Sequence, residues 1–225
     1  MNDLKYETLE NGIKVFVAQN IKFGRDALIL ANFAPVKSTS RLLDIGAGCG
    51  IISLAIRDKN PGVSVVAIDI NNDAHRLIET AIKHNGLNNF TAEHTDLKTY
   101  NTTKKFDIAV CNPPYFSLES GTPSADRAAR CARHEISCTV GDVAACARRS
   151  LKQGGSLCIS YRPERVVDAL YQLRNAGLEP KRMRFVKQRP ENEPWLVVID
   201  ARLDRGIGLD ILPDLIINNC QRSTP

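Results

Sequence analysis

The chain has 225 residues, of which 43% are apolar and 24% are charged, and its formal net charge is +5. This composition is typical of a globular protein with a sizeable core, and no apolar run approaches the roughly 20 residues that cross a bilayer. The seven cysteines are scattered without a Cys-x-x-Cys pair, and residues 1–7 lack a signal peptide, so we expect no disulfide framework, no zinc site and a cytoplasmic protein.

The first predicted elements are a β-hairpin and a short helix. Strand-like runs at residues 6–9 and 13–17 flank Asn11-Gly12, and this dipeptide strongly favours a tight hairpin turn. Residues 27–33 are predicted to form a helix with Asp26 as its N-cap. We therefore expect residues 1–23 to form a hairpin extension before the main sheet.

Strands and helices are predicted to alternate through the middle of the chain. The predicted strands are 41–44, 63–69, 90–93, 106–110 and 156–161, and the predicted helices are 51–57, 73–84, 139–151 and 164–175. Glycines are expected to end the helices, at Asn85-Gly86, at Gly154-Gly155 and at Gly177. This alternation indicates right-handed βαβ units and a mostly parallel sheet that helices cover on both faces.

The end of the chain follows a different pattern. Residues 181–187 and 195–203 are predicted strands without a helix between them, so their pairing is expected to be antiparallel. Residues 204–225 are predicted to form a tail with two more apolar runs. We interpret residues 1–225 as a single α/β domain.

A glycine-rich loop follows the first strand of the alternating region. Glycines between a strand and a helix let the backbone approach a ligand, and the helix N-terminus presents unpaired N–H groups. Asp69 ends the next strand, where an acidic side chain can reach ribose hydroxyls. The combination predicts a nucleotide-like cofactor, although a tight turn with a solvated aspartate is the alternative. The loop glycines are Gly46, Gly48 and Gly50.

These motifs resemble those of the class I S-adenosylmethionine-dependent methyltransferases. The shared pattern is Asp-x-Gly-x-Gly-x-Gly from Asp44, then Asp69, then Asn-Pro-Pro-Tyr from Asn112. The resemblance implies a Rossmann-like fold with a mostly parallel seven-stranded sheet and an antiparallel final hairpin. It also implies that the loop glycines contact the methionine part of S-adenosylmethionine, that Asp69 binds its ribose and that Asp96 binds its adenine. Asp44 would hold the loop or the amino acid end.

The motif Asn112-Pro113-Pro114-Tyr115 resembles the one with which this superfamily methylates planar nitrogens. The Asn112 oxygen and the Pro113 carbonyl can each accept a hydrogen bond from an NH₂ group, which favours a pyramidal nitrogen with its lone pair towards the methyl group. The prolines hold these acceptors rigidly before the substrate arrives. Tyr115 offers a face for a base to stack on, and Phe116 extends this wall or packs in the core. A strand-ending turn without function is the alternative, and direct in-line transfer requires no metal.

RNA, DNA and protein are the competing substrates. Protein glutamine methyltransferases share the motif but carry a substantial helical domain before the cofactor loop, whereas only 43 residues precede Asp44. Restriction-type DNA adenine methyltransferases usually need an added recognition domain. We therefore favour a compact RNA methyltransferase, with an rRNA guanine-N2 or protein glutamine-N5 enzyme as the alternative. A non-catalytic RNA-binding module is a third hypothesis, which Asn112 and Tyr115 argue against.

Three further segments resemble the bacterial tRNA1(Val) (adenine(37)-N6)-methyltransferases. They are residues 23–31, 132–135 and 162–165, and the similarity covers nearly the whole chain. Membership would imply N6-methylation of the adenine beside the anticodon, with tRNA as the partner and no membrane or metal. It leaves the oligomeric state open.

Two groups of arginines are candidate contacts for tRNA phosphates. Arg127, Arg130 and Arg133 recur every three positions and could share one face of a short helix, with ordinary surface charge or an ion pair as the alternative. Arg182 and Arg184 alternate with apolar residues, so one face of their strand is expected to be basic. Residues 162–189 carry eight basic against three acidic side chains, which favours a polyanionic partner, with a merely solvated face as the alternative.

Overall fold

The computed structural model describes residues 4–113 and 138–217. The chain begins with a hairpin of β1 (Lys5–Thr8) and β2 (Lys14–Val17), which pair antiparallel as a separate two-stranded sheet. Gly12 in the turn has a φ of 103°, a conformation that glycine adopts without strain. The hairpin that Asn11-Gly12 predicts is therefore confirmed.

The main sheet has nine strands within the described residues, seven of them long. Its order is β10-β8-β9-β7-β6-β3-β4-β5, with β11 also beside β8. Only the pairs β7–β9 and β8–β9 are antiparallel, so the mostly parallel sheet with an antiparallel final hairpin is confirmed. The strands are β3 (Arg41–Ile45), β4 (Ser64–Asp69), β5 (Phe90–His94), β6 (Phe106–Cys111), β7 (Leu151–Tyr161), β8 (Leu178–Lys187), β9 (Leu196–Leu203), β10 (Asp210–Ile211) and β11 (Leu215–Ile216).

Helices cover both faces of this sheet. On one face, Leu30, Leu54 and Ile78 pack into a core beneath α1, α2 and α3, which are Arg25–Phe33, Ile51–Lys59 and Asn72–His84. On the other face, Val143 and Leu173 pack into a second core beneath α4 (Val140–Ser150) and α5 (Val166–Asn175). A 3-10 turn, Pro163–Arg165, precedes α5. Among the helices that the structure describes, none is long and apolar enough to cross a membrane.

The helix before the glycine loop begins earlier than its sequence pattern predicts. Its N-cap is Gly24, whereas Asp26 lies in the first turn, so the prediction of Asp26 as N-cap is wrong. The carboxylate instead accepts a hydrogen bond from the side chain of Asn112, 86 residues away. A local cap pattern cannot reveal such a partner, because the contact forms only when the sheet assembles.

The predicted end of α4 also differs in the structure. The helix ends at Ser150, and Leu151 already begins β7. The pairing of β7 with β6 shifts register between Leu151 and Ser156, and Gly154 has a φ of 72° in the irregular segment. Gly154-Gly155 thus permits a bulge inside a strand and does not end the helix.

The β1–β2 hairpin is held on the main domain by two polar side chains. Asp58 at the end of α2 is only 6% exposed, and its carboxylate accepts hydrogen bonds from the backbone N–H groups of Asn11 (2.8 Å) and Ile13 (3.1 Å). The Asn85 amide pairs with both backbone groups of Lys14, at 2.9 and 2.8 Å. These contacts fix the turn of the hairpin against α2 and α3.

Replacing Asp58 with alanine is expected to lower the free energy of unfolding by about 2 kcal/mol, because two backbone donors lose their charged acceptor. Urea denaturation measures the change. The matched control is Glu10→Ala, since the Glu10 carboxylate is exposed and only approaches Lys59 at 3.7 Å, and it should change stability by less than about 0.5 kcal/mol. Equal effects of the two substitutions would contradict this role of Asp58.

Candidate active site

The predicted motifs meet at one edge of the sheet. β6, β3 and β4 are adjacent and parallel, so Asn112, the glycine loop and Asp69 all follow the carboxyl ends of neighbouring strands. β8 is parallel to β7, because both are antiparallel to β9. The carboxyl ends of β3 to β8 therefore lie along one edge, which we call the carboxyl edge. Open α/β sheets bind their ligands at this edge.

The glycine loop turns tightly between β3 and α2. Its N–H groups at Gly46 and Ala47 donate to the Ile68 carbonyl, at 2.9 and 3.1 Å. Gly46 and Gly48 have positive φ, and an added Cβ at either would have no atom within 4 Å. Gly50 also has a positive φ, but a Cβ there would meet Ile78 at 3.1 Å. Gly46 and Gly48 thus leave open space beside the backbone, whereas Gly50 lets α2 pack against α3.

Asp44 is a buried carboxylate next to this loop. It has 0% exposure, and one oxygen, Oδ2, accepts from the Ser53 N–H at 3.2 Å. The other oxygen, Oδ1, has no hydrogen-bond partner among the described residues. Burial raises the pKa of Asp44 to about 6, the hydrogen bonds from Ser53 oppose the rise, and the charge of Asp69 adds to it. An unpartnered buried carboxylate oxygen is a suitable acceptor for a cationic ligand group.

Asp69 and Asp96 lie on the other side of the loop. Asp69 Oδ2 accepts from the Gly48 N–H and Oδ1 from the Asn71 N–H, each at 2.8 Å. A carboxylate offers about four acceptor sites, so these bonds hold the side chain while leaving it the capacity to accept from hydroxyl groups. Asp96 follows β5, two residues after His94, the strand partner of Asp69. Its Oδ1 accepts from the Lys98 N–H at 2.8 Å, so Asp96 also organises the turn it lies in.

Asn112 is half-buried at the end of β6, and Pro113 is buried behind it. The Asn112 Nδ2 donates to Asp26 Oδ2 at 2.8 Å, and the Ser160 hydroxyl donates to Asn112 Oδ1 at 2.5 Å. The first contact comes from α1 and the second from β7. The side chain is therefore held between two elements that lie far from it in the sequence.

Several predicted site residues lie outside the described part of the chain. Asn112 and Pro113 are described, but the remaining members of their motif and the first group of arginines are not. Their assignments stay predictions. These residues are Pro114, Tyr115, Phe116, Arg127, Arg130 and Arg133.

Of the second group of arginines, Arg182 is engaged within the fold. Arg182 Nε donates to Asp200 Oδ2 at 2.9 Å, its Nη2 donates to the Phe33 carbonyl at 3.4 Å, and its guanidinium lies 4.9 Å from the Phe33 ring centroid. Asp200 is fully buried. Arg184 Nε is also buried, without a hydrogen-bond partner among the described residues. Part of the expected basic face is thus covered by α1, and Arg182 has a structural role in the fold.

Asp26 and Ser160 are site residues that pattern reasoning missed. Asp26 belongs to the segment 23–31, and the resemblance of that segment to a known family was the only indication that Asp26 is a site residue. Ser160 lies in a mostly apolar strand, where a serine gives no indication of function. No group of three or more possible metal ligands occurs within residues 4–113 and 138–217.

Residues 7–172 match the family model described as "Methyltransferase small domain". Three similar proteins are each named tRNA1(Val) (adenine(37)-N6)-methyltransferase. That of Parabacteroides distasonis is 28% identical over 183 residues, 80% of this chain and 76% of that protein. That of Escherichia coli O157:H7 is 28% identical over 167 residues, 70% of this chain and 66% of that protein. That of Flavobacteriaceae bacterium strain 3519-10 is 34% identical over 114 residues, 48% of this chain and 47% of that protein.

The chain therefore spans only about half the length of some relatives that it matches, 47% in the Flavobacteriaceae protein and 42% in that of Pseudoalteromonas translucida. Two solved structures resemble the fold more completely. A predicted O-methyltransferase from Agrobacterium tumefaciens has a TM-score of 0.68 at 16% identity, over 89% of this chain and 91% of that one. TYW2 of M. jannaschii in complex with AdoMet has a TM-score of 0.62 at 16% identity, over 88% and 85%. At these identities the likeness concerns the fold alone, and it confirms the predicted class I methyltransferase architecture.

Proposed function

The chain belongs to the methyltransferase small domain family, and from this premise we propose that it transfers a methyl group from S-adenosylmethionine to the exocyclic N6 of an adenine in tRNA. The proposed position is adenine 37 of the anticodon loop, which the names of its relatives specify for those proteins. We propose further that residues 1–225 act as one domain in the cytoplasm, where tRNA is available.

The observation that carries this proposal is the position of Asn112. Its amide lies half-buried at the carboxyl edge, directly after β6, the strand next to the one that leads into the glycine loop. Its two polar atoms are held by Asp26 and Ser160, with the oxygen as acceptor. A preorganised acceptor beside a cofactor loop suits a substrate that offers an N–H group.

The residues of the carboxyl edge fit the proposed cofactor. Asp44 Oδ1 is a buried acceptor without a partner in the described residues, suited to the ammonium of the cofactor's methionine part. Gly46 and Gly48 leave space for a ligand against the backbone. Asp69 and Asp96 lie beyond the loop, on β4 and after β5, where we place the ribose and the adenine. When bound, the cofactor supplies an electrophilic methyl group on a sulfonium.

The protein's own task is to present the nitrogen of the substrate. An exocyclic amine of a base is a poor nucleophile, since its lone pair is delocalised into the ring. Asn112 Oδ1 and the Pro113 carbonyl can each accept one N–H of this amine, which makes the nitrogen more pyramidal and localises its lone pair on the nitrogen. The nitrogen would then take the methyl group in line as the methyl–sulfur bond breaks and leaves a neutral thioether, and the surplus N–H proton would pass to solvent. Positioning and electrostatic preorganisation supply the rate.

The binding of tRNA is proposed to involve Tyr115 and Phe116 as stacking faces and Arg127, Arg130 and Arg133 as phosphate contacts. Of the basic residues between 162 and 189, Arg162 follows β7 and lies at the carboxyl edge, whereas Lys181 lies towards the opposite end of β8 and donates to the Gly206 carbonyl. The basic residues at the carboxyl edge are the ones nearest to an RNA whose base enters the site.

The test is methylation of a defined RNA with labelled S-adenosylmethionine. We expect label in an unmodified tRNA1(Val) transcript, recovered as N6-methyladenosine by mass spectrometry of its nucleosides. The matched control is the same transcript with guanine in place of adenine 37, which should take up no label. Absence of label from both RNAs would refute the proposal, and label in rRNA guanine or in protein glutamine would instead identify the alternative enzyme.

A further inference from the structure

The side chain of Asn112 is held by two hydrogen-bonding partners. Asp26 offers a carboxylate, whose oxygens in the ionised form accept but do not donate, so it accepts from Nδ2, whereas the Ser160 hydroxyl, which can donate or accept, donates to Oδ1. Asparagine nitrogen and oxygen have nearly the same shape, so the partners determine which atom points where. Asp26 therefore selects one of the two amide orientations, and Ser160 stabilises it by donating to Oδ1 from β7.

This orientation matters for the proposed reaction. An amide oxygen has two acceptor sites, so Oδ1 can accept from Ser160 and from a substrate amine at the same time. The opposite orientation would present an NH₂ group to the NH₂ of the base, two donors facing each other. A flip of the amide would therefore remove the interaction on which the reaction depends.

The charge of Asp26 also acts on the reacting nitrogen. Hydrogen bonds in a chain polarise one another, so a carboxylate that accepts from Nδ2 makes Oδ1 a stronger acceptor. Methyl transfer from a sulfonium to a neutral amine moves a positive charge onto the amine. Asp26 lies one hydrogen bond behind the residue that contacts this amine, so its negative charge stabilises the charge that develops there.

The position of Asp26 is set by the anchoring of α1 at its far end. Arg182 reaches from β8 to the Phe33 carbonyl and ring at the last residue of α1, and buried Asp200 holds the guanidinium. The Ser156 hydroxyl in turn bonds to Asp200. α1 is thus attached to the sheet at both ends, by Arg182 at Phe33 and by Asn112 at Asp26.

We propose that Asp26 and Ser160 are positioning residues that hold the Asn112 amide in its catalytic orientation, and that Asp26 also strengthens the Asn112 oxygen as an acceptor. This inference rests on the proposed function, because it assigns Asn112 the contact with the substrate amine. It adds two residues, from α1 and β7, to the machinery of the reaction.

Steady-state kinetics with tRNA separate positioning from charge. Asp26→Ala is expected to lower kcat by about 10- to 30-fold, with the KM values for cofactor and RNA changed less than about threefold. Asp26→Asn should recover part of this loss, because its amide oxygen can still accept from Asn112 Nδ2 but carries no charge. Ser160→Ala should lower kcat by about fivefold to tenfold.

Two variants serve as matched controls. Asp168→Ala removes a carboxylate from the first turn of α5, as Asp26→Ala does from α1. Ser150→Ala removes a buried hydroxyl that has no hydrogen-bond partner among the described residues. Both should keep kcat within twofold of the wild type. A kcat of Asp26→Ala within twofold of wild type, or a loss confined to the KM of the cofactor, would overturn the proposal.

A double-mutant cycle tests the same contact without cofactor or RNA. Urea denaturation of Asp26→Ala, Asn112→Ala and the double variant should give a coupling of at least about fivefold in the unfolding equilibrium constant. In turnover assays, Asp26→Ala should lower the residual kcat of Asn112→Ala no further. Additive effects in both measurements would overturn the inference. If the wild type labels no RNA, the proposed function fails, and the coupling in urea still decides whether Asp26 holds Asn112.

Discussion

Substitution of Asn112 by alanine is expected to lower kcat by roughly 10²- to 10³-fold, equivalent to about 2.7–4 kcal/mol of lost transition-state stabilisation. The reason is that alanine removes the acceptor that orients the amine and that Ser160 and Asp26 hold in place. The backbone carbonyl of Pro113 remains, so the activity should fall without vanishing. Single-turnover labelling of tRNA measures this loss directly.

The cofactor affinity separates this role from a general loss of structure. Asn112→Ala should bind S-adenosylmethionine with a dissociation constant within about threefold of the wild type, since the proposed cofactor contacts lie on β3, β4 and the loops after β3 and β5. Asn101→Ala is the matched control, because Asn101 is an exposed amide in the loop that leads into β6 from the opposite edge of the sheet. Loss of cofactor binding in Asn112→Ala would contradict the assigned role.

Asp44 is expected to make the stability of the cofactor-free protein fall as the pH rises from about 4 to about 6. Its pKa is 3.8 in an unperturbed chain and about 6 in the folded protein, where burial has the largest effect. Between these values the unfolded chain has lost the proton that the folded protein keeps, so each rise in pH favours unfolding. Below this window both states are protonated, and above it both are ionised. The total loss is about 3 kcal/mol.

Asp44→Asn tests this expectation by removing the ionisable group. The decline between pH 4 and 6 should be about 3 kcal/mol smaller in the variant than in the wild type, as measured by urea denaturation across this range. Asp210→Asn is the control, since Asp210 is an exposed residue of β10, and its profile should follow that of the wild type. Parallel profiles for Asp44→Asn and wild type would show that Asp44 does not titrate in this window.

The same carboxylate should link cofactor binding to pH. If the ionised Asp44 accepts the cofactor's ammonium, calorimetry should show binding that tightens by about tenfold between pH 5 and pH 7 in the wild type, following one ionisation near pH 6. Asp44→Asn should bind weakly and show little dependence on pH. The buried charge thus weakens the empty protein while it prepares the cofactor site, a combination common at functional sites.

Local patterns in the sequence determined the elements of the fold. Asn11-Gly12 specifies a tight turn, alternating apolar runs specify the strands and helices, and the absence of a helix between the last two long strands makes their pairing antiparallel. Each of these signals acts over a few residues, so it can be interpreted without knowing what lies opposite. The order of Asp44, the glycine loop, Asp69 and Asn112 along the chain also placed these residues at one edge of a parallel sheet.

Only the tertiary structure decided which side chains hold that site in place. Asp26 is predicted to be an N-cap but binds Asn112, and Gly154 is predicted to end a helix but lies in a strand bulge. Arg182 is predicted to contact tRNA phosphates, and the structure shows that it also anchors α1 and binds Asp200. In each case the partner is distant in the sequence, and a polar residue or a glycine can occur in several local structures of similar free energy. Burial beside a particular partner determines which of these structures forms, and this happens only when α1 packs on the sheet and β7 pairs with β6.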